Sequence, residues 1–341
     1  MRATTHEVLD GRCNVLVTVP GNGPGSVLLE THLDTVEVEG MSVAPYEPVV
    51  DEERLYGRGS CDAKASLAAF MLALERLVSG GPRPNTVVLA AVVDEEHRYR
   101  GVTALREHGL AFDGAIVGEP TSLRMVVAHK GCMRCRITAS GAGGHSSEPW
   151  GKVNAIELAA EVVRYLRDEY VPRLDRSAHA FVGRPSCAVT TVDGGSGPNV
   201  LPASCSLSID RRTVPGEDPH QTWESLRADI EARWPDQVTV APPDVVDYAL
   251  ATDPNDPFVR AVATSLRTGG CDAEPQGVGH GTDASKIALD GVPAVVFGPG
   301  AIADAHTHAE SVPLSQVDTA VDVVEHLLRT PIQSGASGRQ T

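Results

Sequence analysis

The stretch Thr86–Glu96 reads TVVLAAVVDEE, an almost unbroken apolar run closed by three adjacent carboxylates. A run of this length and Val content reads as a strand. Asp94, Glu95 and Glu96 at its end would repel one another unless solvated or neutralised by cations. Working outward, β-branched runs at Val15–Val19 and Ser26–Leu29 come first, then apolar residues at helical spacing over Ala63–Val78. Beyond the run lie a helix near Val102–His108 and a strand at Gly114–Val117. Alternation of strand and helix defines an α/β class. Glu119 follows its strand as the three carboxylates follow theirs, and open α/β sheets bind ligands off that edge.

The chain has 341 residues, with 45 acidic side chains against 29 basic ones and a formal net charge of −16. That length allows one large or two medium domains with a real core. A pI near 5.1 argues against a general binder of nucleic acid or anionic membrane. Aromatics make up 4% and hydrophobics 42%, so the core must be built from Ala, Val and Leu. No apolar run reaches the roughly 18 residues of a membrane helix, and Met1–Asp10 lacks the apolar segment of a signal peptide. The expected compartment is the cytoplasm. Seven irregularly spaced cysteines do not read as a disulfide framework. Cys132 and Cys135 form a CxxC inside a strand pattern without a second CxxC, which marks them as structural thiols.

After His129 the texture changes. A strand from Cys132, a helix at Val153–Asp168, strands at Ala188–Val192 and Ser204–Asp210, a helix at Pro219–Trp234 and a strand at Val238–Val240 suggest an inserted α+β sandwich. Pro242-Pro243 marks a linker. A helix at Asp256–Leu266, a strand at Pro293–Phe297 and a helix at Leu314–Leu328 return to the α/β style, and Ser334–Thr341 reads as a disordered tail. The expected organisation is a catalytic domain of residues 1–131 and 241–333, with residues 132–240 inserted.

Several short motifs carry chemistry. In His32-Leu33-Asp34 the first and third side chains share one side of an extended chain, as a ligand and its orienting partner would. Asp62, in Gly57-Arg58-Gly59-Ser60-Cys61-Asp62-Ala63-Lys64, precedes a helix; it reads as an N-cap or as a metal ligand as well. Glu119 in Gly118-Glu119-Pro120-Thr121 and the His-rich Asp304–Glu310 follow further strands. Together these elements supply imidazoles and carboxylates suited to zinc or similar ions, and favour a two-metal hydrolytic centre. Gly141–His145 is glycine-rich, but no Gly-Lys-Ser/Thr follows to make a phosphate loop.

With Gly144-His145-Ser146-Ser147, Arg212-x-x-Pro215-Gly216 and Ala305-His306, the series resembles, in order from Val15 to Leu328, the dinuclear zinc family of acetylornithine deacetylase, succinyl-diaminopimelate desuccinylase, aminoacylase and glutamate carboxypeptidase. The resemblance implies a zinc-exopeptidase-like catalytic domain with a mixed sheet flanked by helices, interrupted by a lid and dimerisation domain, in a homodimer. It implies two divalent ions, zinc with cobalt or manganese as alternatives. Asp62 would bridge them, one ion also held by His32 and Glu119 and the other by Glu96 and His306. A water shared by the ions would attack the acyl carbonyl, with Glu95 as general base and Asp34 orienting His32. His308 falls outside the matched position. His145 would stabilise the oxyanion, Asn199 and Arg212 would hold substrate, the guanidinium suiting an α-carboxylate, and Gly281 and Thr282 lie in a matched substrate-side loop. Ala65 replaces the family's usual glycine, and His32 arrives early in the chain. The implied reaction is hydrolysis of the amide of an N-acyl amino acid, most like the acetylornithine deacetylase branch. Desuccinylase, aminoacylase, carboxypeptidase or dipeptidase activity stand as alternatives, and a catalytically silent metal-binding dimer as a reading of another class.

Overall fold

The structure, a computed structural model, describes residues 1–107, 109 and 111–333. The expected tail Ser334–Thr341, and His108 at the end of an expected helix, lie outside the described residues. The chain divides into two units: Met1–Val127 with Ala251–Gly277 and the residues from Thr282 onward, and Ala128–Leu250 with Val278–Gly281.

The first unit opens with β1 (Arg2–Leu9) and β2 (Arg12–Val19), an antiparallel hairpin. There follow β3 (Gly25–His32), the short pair β4 (Val49–Asp51) and β5 (Arg54–Tyr56), α1 (Lys64–Ser79), β6 (Asn85–Val92), α2 (Arg100–Glu107), β7 (Gly114–Val117) and β8 (Val126–His129). The second unit contains β9 (Gly131–Ser140), β10 (Gly144–His145), α3 (Ala155–Tyr165), α4 (Val171–Leu174), β11 (Ser186–Gly194), β12 (Val200–Leu201), β13 (Ser204–Thr213), α5 (Pro219–Arg233), β14 (Val238–Val240) and β15 (Val245–Asp247). The chain then adds β16 (Leu250–Ala251), α6 (Pro257–Thr268), β17 (Gln276–Val278), α7 (Ala284–Ala288), β18 (Ala294–Val296), β19 (Ser311–Pro313) and α8 (Leu314–Arg329).

The main sheet is mixed, in the order β1-β2-β6-β3-β7-β18-β8-β16 with β17 beside β8. Its central strands β6, β3, β7 and β18 run parallel. Their residues are buried nearly throughout, which explains the unbroken apolar runs that spell them. Helices α1, α6 and α8 bury Ala69, Phe70, Ala73, Leu77, Val262, Leu266, Val324 and Leu327 in one cluster with Val27, Leu29, Val87 and Ile116 of the sheet. Ala, Val and Leu dominate this core, as the composition requires, with Phe70, Phe258 and Phe297 filling the larger spaces. A second small sheet, β19-β5-β4, ties the chain near Tyr56 to that at Ser311.

In the second unit β11, β13, β9 and β14 form an antiparallel sheet, with β15 also beside β9. Against it α3 and α5 bury Leu158, Val162, Leu226 and Ile230 with Ile137, Leu207 and Ile209. Asn154 starts α3 by accepting the Ile156 N–H at 3.0 Å. The helix expected to run to Asp168 leaves α geometry after Tyr165 for a π turn, Leu166–Tyr170. No helix among the described residues is long and apolar enough to cross a membrane.

Candidate active site

Parallel strands deliver the chemistry to one edge of the main sheet. β3 ends on His32, β6 runs into Asp94-Glu95-Glu96, β7 precedes Glu119, and β18 leads to the loop of His306. His32 is buried, and its Nδ1 lies 2.9 Å from the backbone oxygen of Asp34. A proton on Nδ1 donated to that carbonyl leaves the Nε2 lone pair to point elsewhere. Nε2 lies 3.0 Å from Asp62 Oδ1 and 3.9 Å from Glu119 Oε1. On the other side His306 Nε2 lies 3.2 Å from Asp62 Oδ2 and 2.9 Å from Glu96 Oε1. Asp62 thus turns one carboxylate oxygen to each imidazole.

Of the two readings of Asp62, the capping one fails. α1 begins at Lys64 with Ala63 at its cap position and no side-chain cap bond. Among the described residues, His32, Asp62 and Glu96 form one group that could hold a metal ion, and His32, Glu95 and Glu119 another, the donor atoms of each lying within 4.8 Å of one another. The donors are imidazole nitrogen and carboxylate oxygen, a set that zinc, cobalt and manganese accept. Two buried carboxylates, Asp62 and Glu119, and two half-buried ones, Glu95 and Glu96, at such spacing call for cationic neutralisation, so the residues fit divalent ions.

The expected role of Asp34 needs correction. Its carboxylate stands 3.9 Å from His32 Nδ1, whereas Oδ1 and Oδ2 each accept a backbone N–H at 3.2 Å, from Glu95 and Glu96. The side chain therefore fixes the turn that presents Glu95 and Glu96, and His32 is oriented by the Asp34 backbone. The reason is local: Asp94 takes a positive φ of 70°, and the turn after β6 folds its next two N–H groups toward the loop following β3.

Burial alone would lower the His32 pKa, but the bond to Asp62 and the charges of Glu119 and Glu95 raise it well above its ordinary value. Bonds to Asp62 and Glu96 push His306 up to about 10. Burial would raise the Asp62 carboxyl, yet the two imidazoles hold it well below the usual range. Burial, followed by the charges of Asp283 and Glu96, raises Glu95 well above the ordinary carboxylate range against the opposing pull of His32 and Lys286.

Two acids had no individual role assigned from the sequence. Glu30, wholly buried on β3 two residues before His32, has its carboxyl raised by burial and by the charge of Asp283. Glu310, also wholly buried, accepts the Cys61 and Asp62 N–H groups. An acid inside the apolar run VLLETHLD was the available signal for Glu30; Glu310 had none beyond its closeness to His306.

The remaining expected residues are described within their own units. In the second, exposed His145 sits on β10, paired with Val200 of β12. Its Nδ1 accepts the Ser147 N–H at 3.2 Å and lies 2.6 Å from the Ser147 hydroxyl, leaving Nε2 to carry the ring proton. Asn199 is exposed and its carbonyl accepts the Ser146 N–H at 3.0 Å. Arg212 forms a two-pronged pair with Asp210, at 2.7 and 3.2 Å. A Cβ at Gly281 would fall 1.7 Å from the Asp247 carboxylate, so that backbone approach requires glycine. In the first unit, Thr282 is buried and its hydroxyl accepts the Ala284 N–H at 3.2 Å at the start of α7. His308 bonds to the Gly40 carbonyl, a loop residue as expected. Cys132 and Cys135, three apart on β9, are buried free thiols.

Imidazoles and carboxylates gathered at the C-terminal edge of parallel strands in a mixed sheet define a metallo-hydrolase architecture. Residues 28–330 match peptidase family M20/M25/M40, and the chain belongs to that family. Similar proteins include the acetylornithine deacetylase of Proteus mirabilis, 32% identical over 335 residues that cover 93% of this chain and 82% of the relative. That of Aliivibrio fischeri is 29% identical over 333 residues, 94% of this chain and 85% of the relative. Among solved structures, a Staphylococcus aureus tripeptidase superposes with a TM-score of 0.80 at 21% identity, covering 96% of this chain and 88% of its own. A Bacillus subtilis dinuclear metal binding peptidase does so with a TM-score of 0.71 at 16% identity, covering 97% and 88%.

Proposed function

We propose that this protein is a cytoplasmic amidohydrolase that removes the acyl group from the nitrogen of an N-acyl amino acid, with N-acetylornithine the first substrate to test. The observation that carries this reading is the Asp62 carboxylate divided between His32 Nε2 and His306 Nε2, at 3.0 and 3.2 Å, with Glu95 close to His32 and Glu119. Asp62 would hold two divalent ions in common, His32 and Glu119 completing one site, Glu96 and His306 the other. When bound, the ions supply Lewis acidity toward the acyl carbonyl and lower the pKa of water. Zinc is the ion we favour. Glu95 takes the proton of the attacking water on its carboxylate and delivers it to the leaving amine nitrogen. Asp34 holds Glu95 and Glu96 in place through their N–H groups. We assign His145 Nε2–H to the developing oxyanion, and Asn199 and Arg212 to substrate, Arg212 for its carboxylate; Gly281 keeps a place only through the backbone of its loop.

We further assign the second unit to a lid that also forms a homodimer. β11 is an edge strand, and Ile156, Val163, Val189 and Val192 line a groove between it and α3. An unprotected apolar edge of this kind favours pairing with another strand. All seven cysteines are free, which supports a reducing compartment.

The test is release of free amine from N-acetylornithine, N-succinyl and other N-acyl amino acids and dipeptides, by zinc- or cobalt-loaded protein against a chelated control. Chelator-sensitive turnover is the expected result, and the best substrate names the branch. Absence of turnover across the panel by protein carrying two ions per chain would favour the silent metal-binding alternative.

A further inference from the structure

The segment from Gly57 to Ala63 carries Asp62 and belongs to no helix or strand. Gly59 has a φ of 77°, and the Asp62–Ala63 peptide is cis. Buried backbone N–H groups must find partners, and here most go to a single residue. Glu310 Oε1 accepts both the Cys61 and the Asp62 N–H at 3.0 Å. Its Oε2 accepts Arg58 Nη1 at 2.6 Å. Its backbone oxygen accepts the Gly57 N–H at 3.1 Å and the Ser60 hydroxyl at 3.4 Å. Glu310 is 0% exposed and the Arg58 side chain 5%, so the charges neutralise one another out of water. Glu310 also ends the loop that holds His306, just before β19 pairs with β5.

We infer that Glu310 is a positioning residue that holds the Asp62 carboxylate between His32 and His306, coupling the Asp62 segment to the His306 loop. The inference rests on the reading of Asp62 as the ligand shared by two ions. Without the Oε1 acceptor the Cys61 and Asp62 amides lose their anchor, and the Asp62 side chain loses the backbone direction that splits its oxygens between two imidazoles. Both carboxylate oxygens of Glu310 are taken up by the Cys61 and Asp62 amides and by Arg58. Partners of this indirect kind are typically worth about 10–100-fold in metal affinity or activity.

The experiment titrates zinc into metal-free full-length protein against a chromogenic chelator, giving stoichiometry and affinity, with circular dichroism and thermal melting of each metal-free protein and turnover on the best panel substrate. Glu310→Ala is expected to weaken zinc binding by about 10–100-fold and to lower kcat with KM little changed. Glu310→Gln keeps a carbonyl oxygen for the two amides but sets an NH2 group against Arg58, so it too weakens binding. The double variant Glu310→Gln/Arg58→Met removes that conflict and is expected to recover most of the loss, a rescue that a merely stabilising residue would not produce. Wild-type zinc affinity and kcat in folded Glu310→Gln overturn the inference, whether or not Glu310→Ala folds. Wild-type protein that takes up fewer than two ions overturns the functional reading, and this inference with it.

Discussion

Glu95 stands among His32, Glu96 and Glu119 yet is the carboxylate left for proton transfer once Asp62, Glu96 and Glu119 are assigned as ligands. Glu95→Ala is expected to lower kcat by about 100- to 10,000-fold while leaving metal content unchanged; kcat like that of the wild type would remove Glu95 from the mechanism. Asp34 is expected to behave differently. Asp34→Ala frees two N–H groups at once, so both metal content and kcat should fall, by about 10–100-fold in affinity, and unchanged metal affinity would count against the observed geometry. Burial pushes the Cys135 thiol from its ordinary 9.0 up to about 11. The native thiol therefore stays neutral at pH 8 and should resist alkylation until the protein is unfolded, as mass spectrometry of labelled protein would show. The sign follows: stability from keeping this thiol protonated is complete below pH 9 and fades as the pH climbs through about 11. At this scale the ligand residue types could be read directly, because imidazoles and carboxylates at strand ends have few other reasons to cluster. The direction of the Asp34 carboxylate could not, because it depends on a turn from another strand.

Elements place these residues through close contacts. Gly118 lies between the end of β7 and Glu119, and a Cβ there would meet Ser66 Cβ at 2.7 Å and Phe70 at 2.8 Å, both on α1. Gly118→Ala should therefore push α1 off the sheet edge, costing about 1–3 kcal/mol by overpacking; a denaturant melt would register it, and an unchanged midpoint would contradict the packing. Elements with a strong apolar pattern, periodic in α1 and α8 and unbroken in β6 and β7, were legible because each buries one face or both. The strands β1, β4, β5 and β19 escaped reading: three of them are only three residues long, β1 and β4 are without a buried residue, and pairing rather than an apolar pattern holds them.

For the whole molecule, ions that bind the folded state and not the unfolded chain add stability by mass action, about 4 kcal/mol at a thousandfold excess over Kd. Chelation should lower the melting temperature and abolish turnover together, and zinc should restore both; a melting temperature indifferent to chelation would mean that no ion sits in the Asp62 cluster. The family, the α/β class and the residue types of the centre were already written in the order of residues, since apolar runs and strand-end acids follow from local pattern alone. The division of one Asp62 carboxylate between two imidazoles, the change in Asp34's partner and the anchoring of residues 57–62 by Glu310 belong to the folded chain. Each joins residues from about 30 to 250 positions apart, and no local periodicity encodes which distant partner a buried carboxylate will meet.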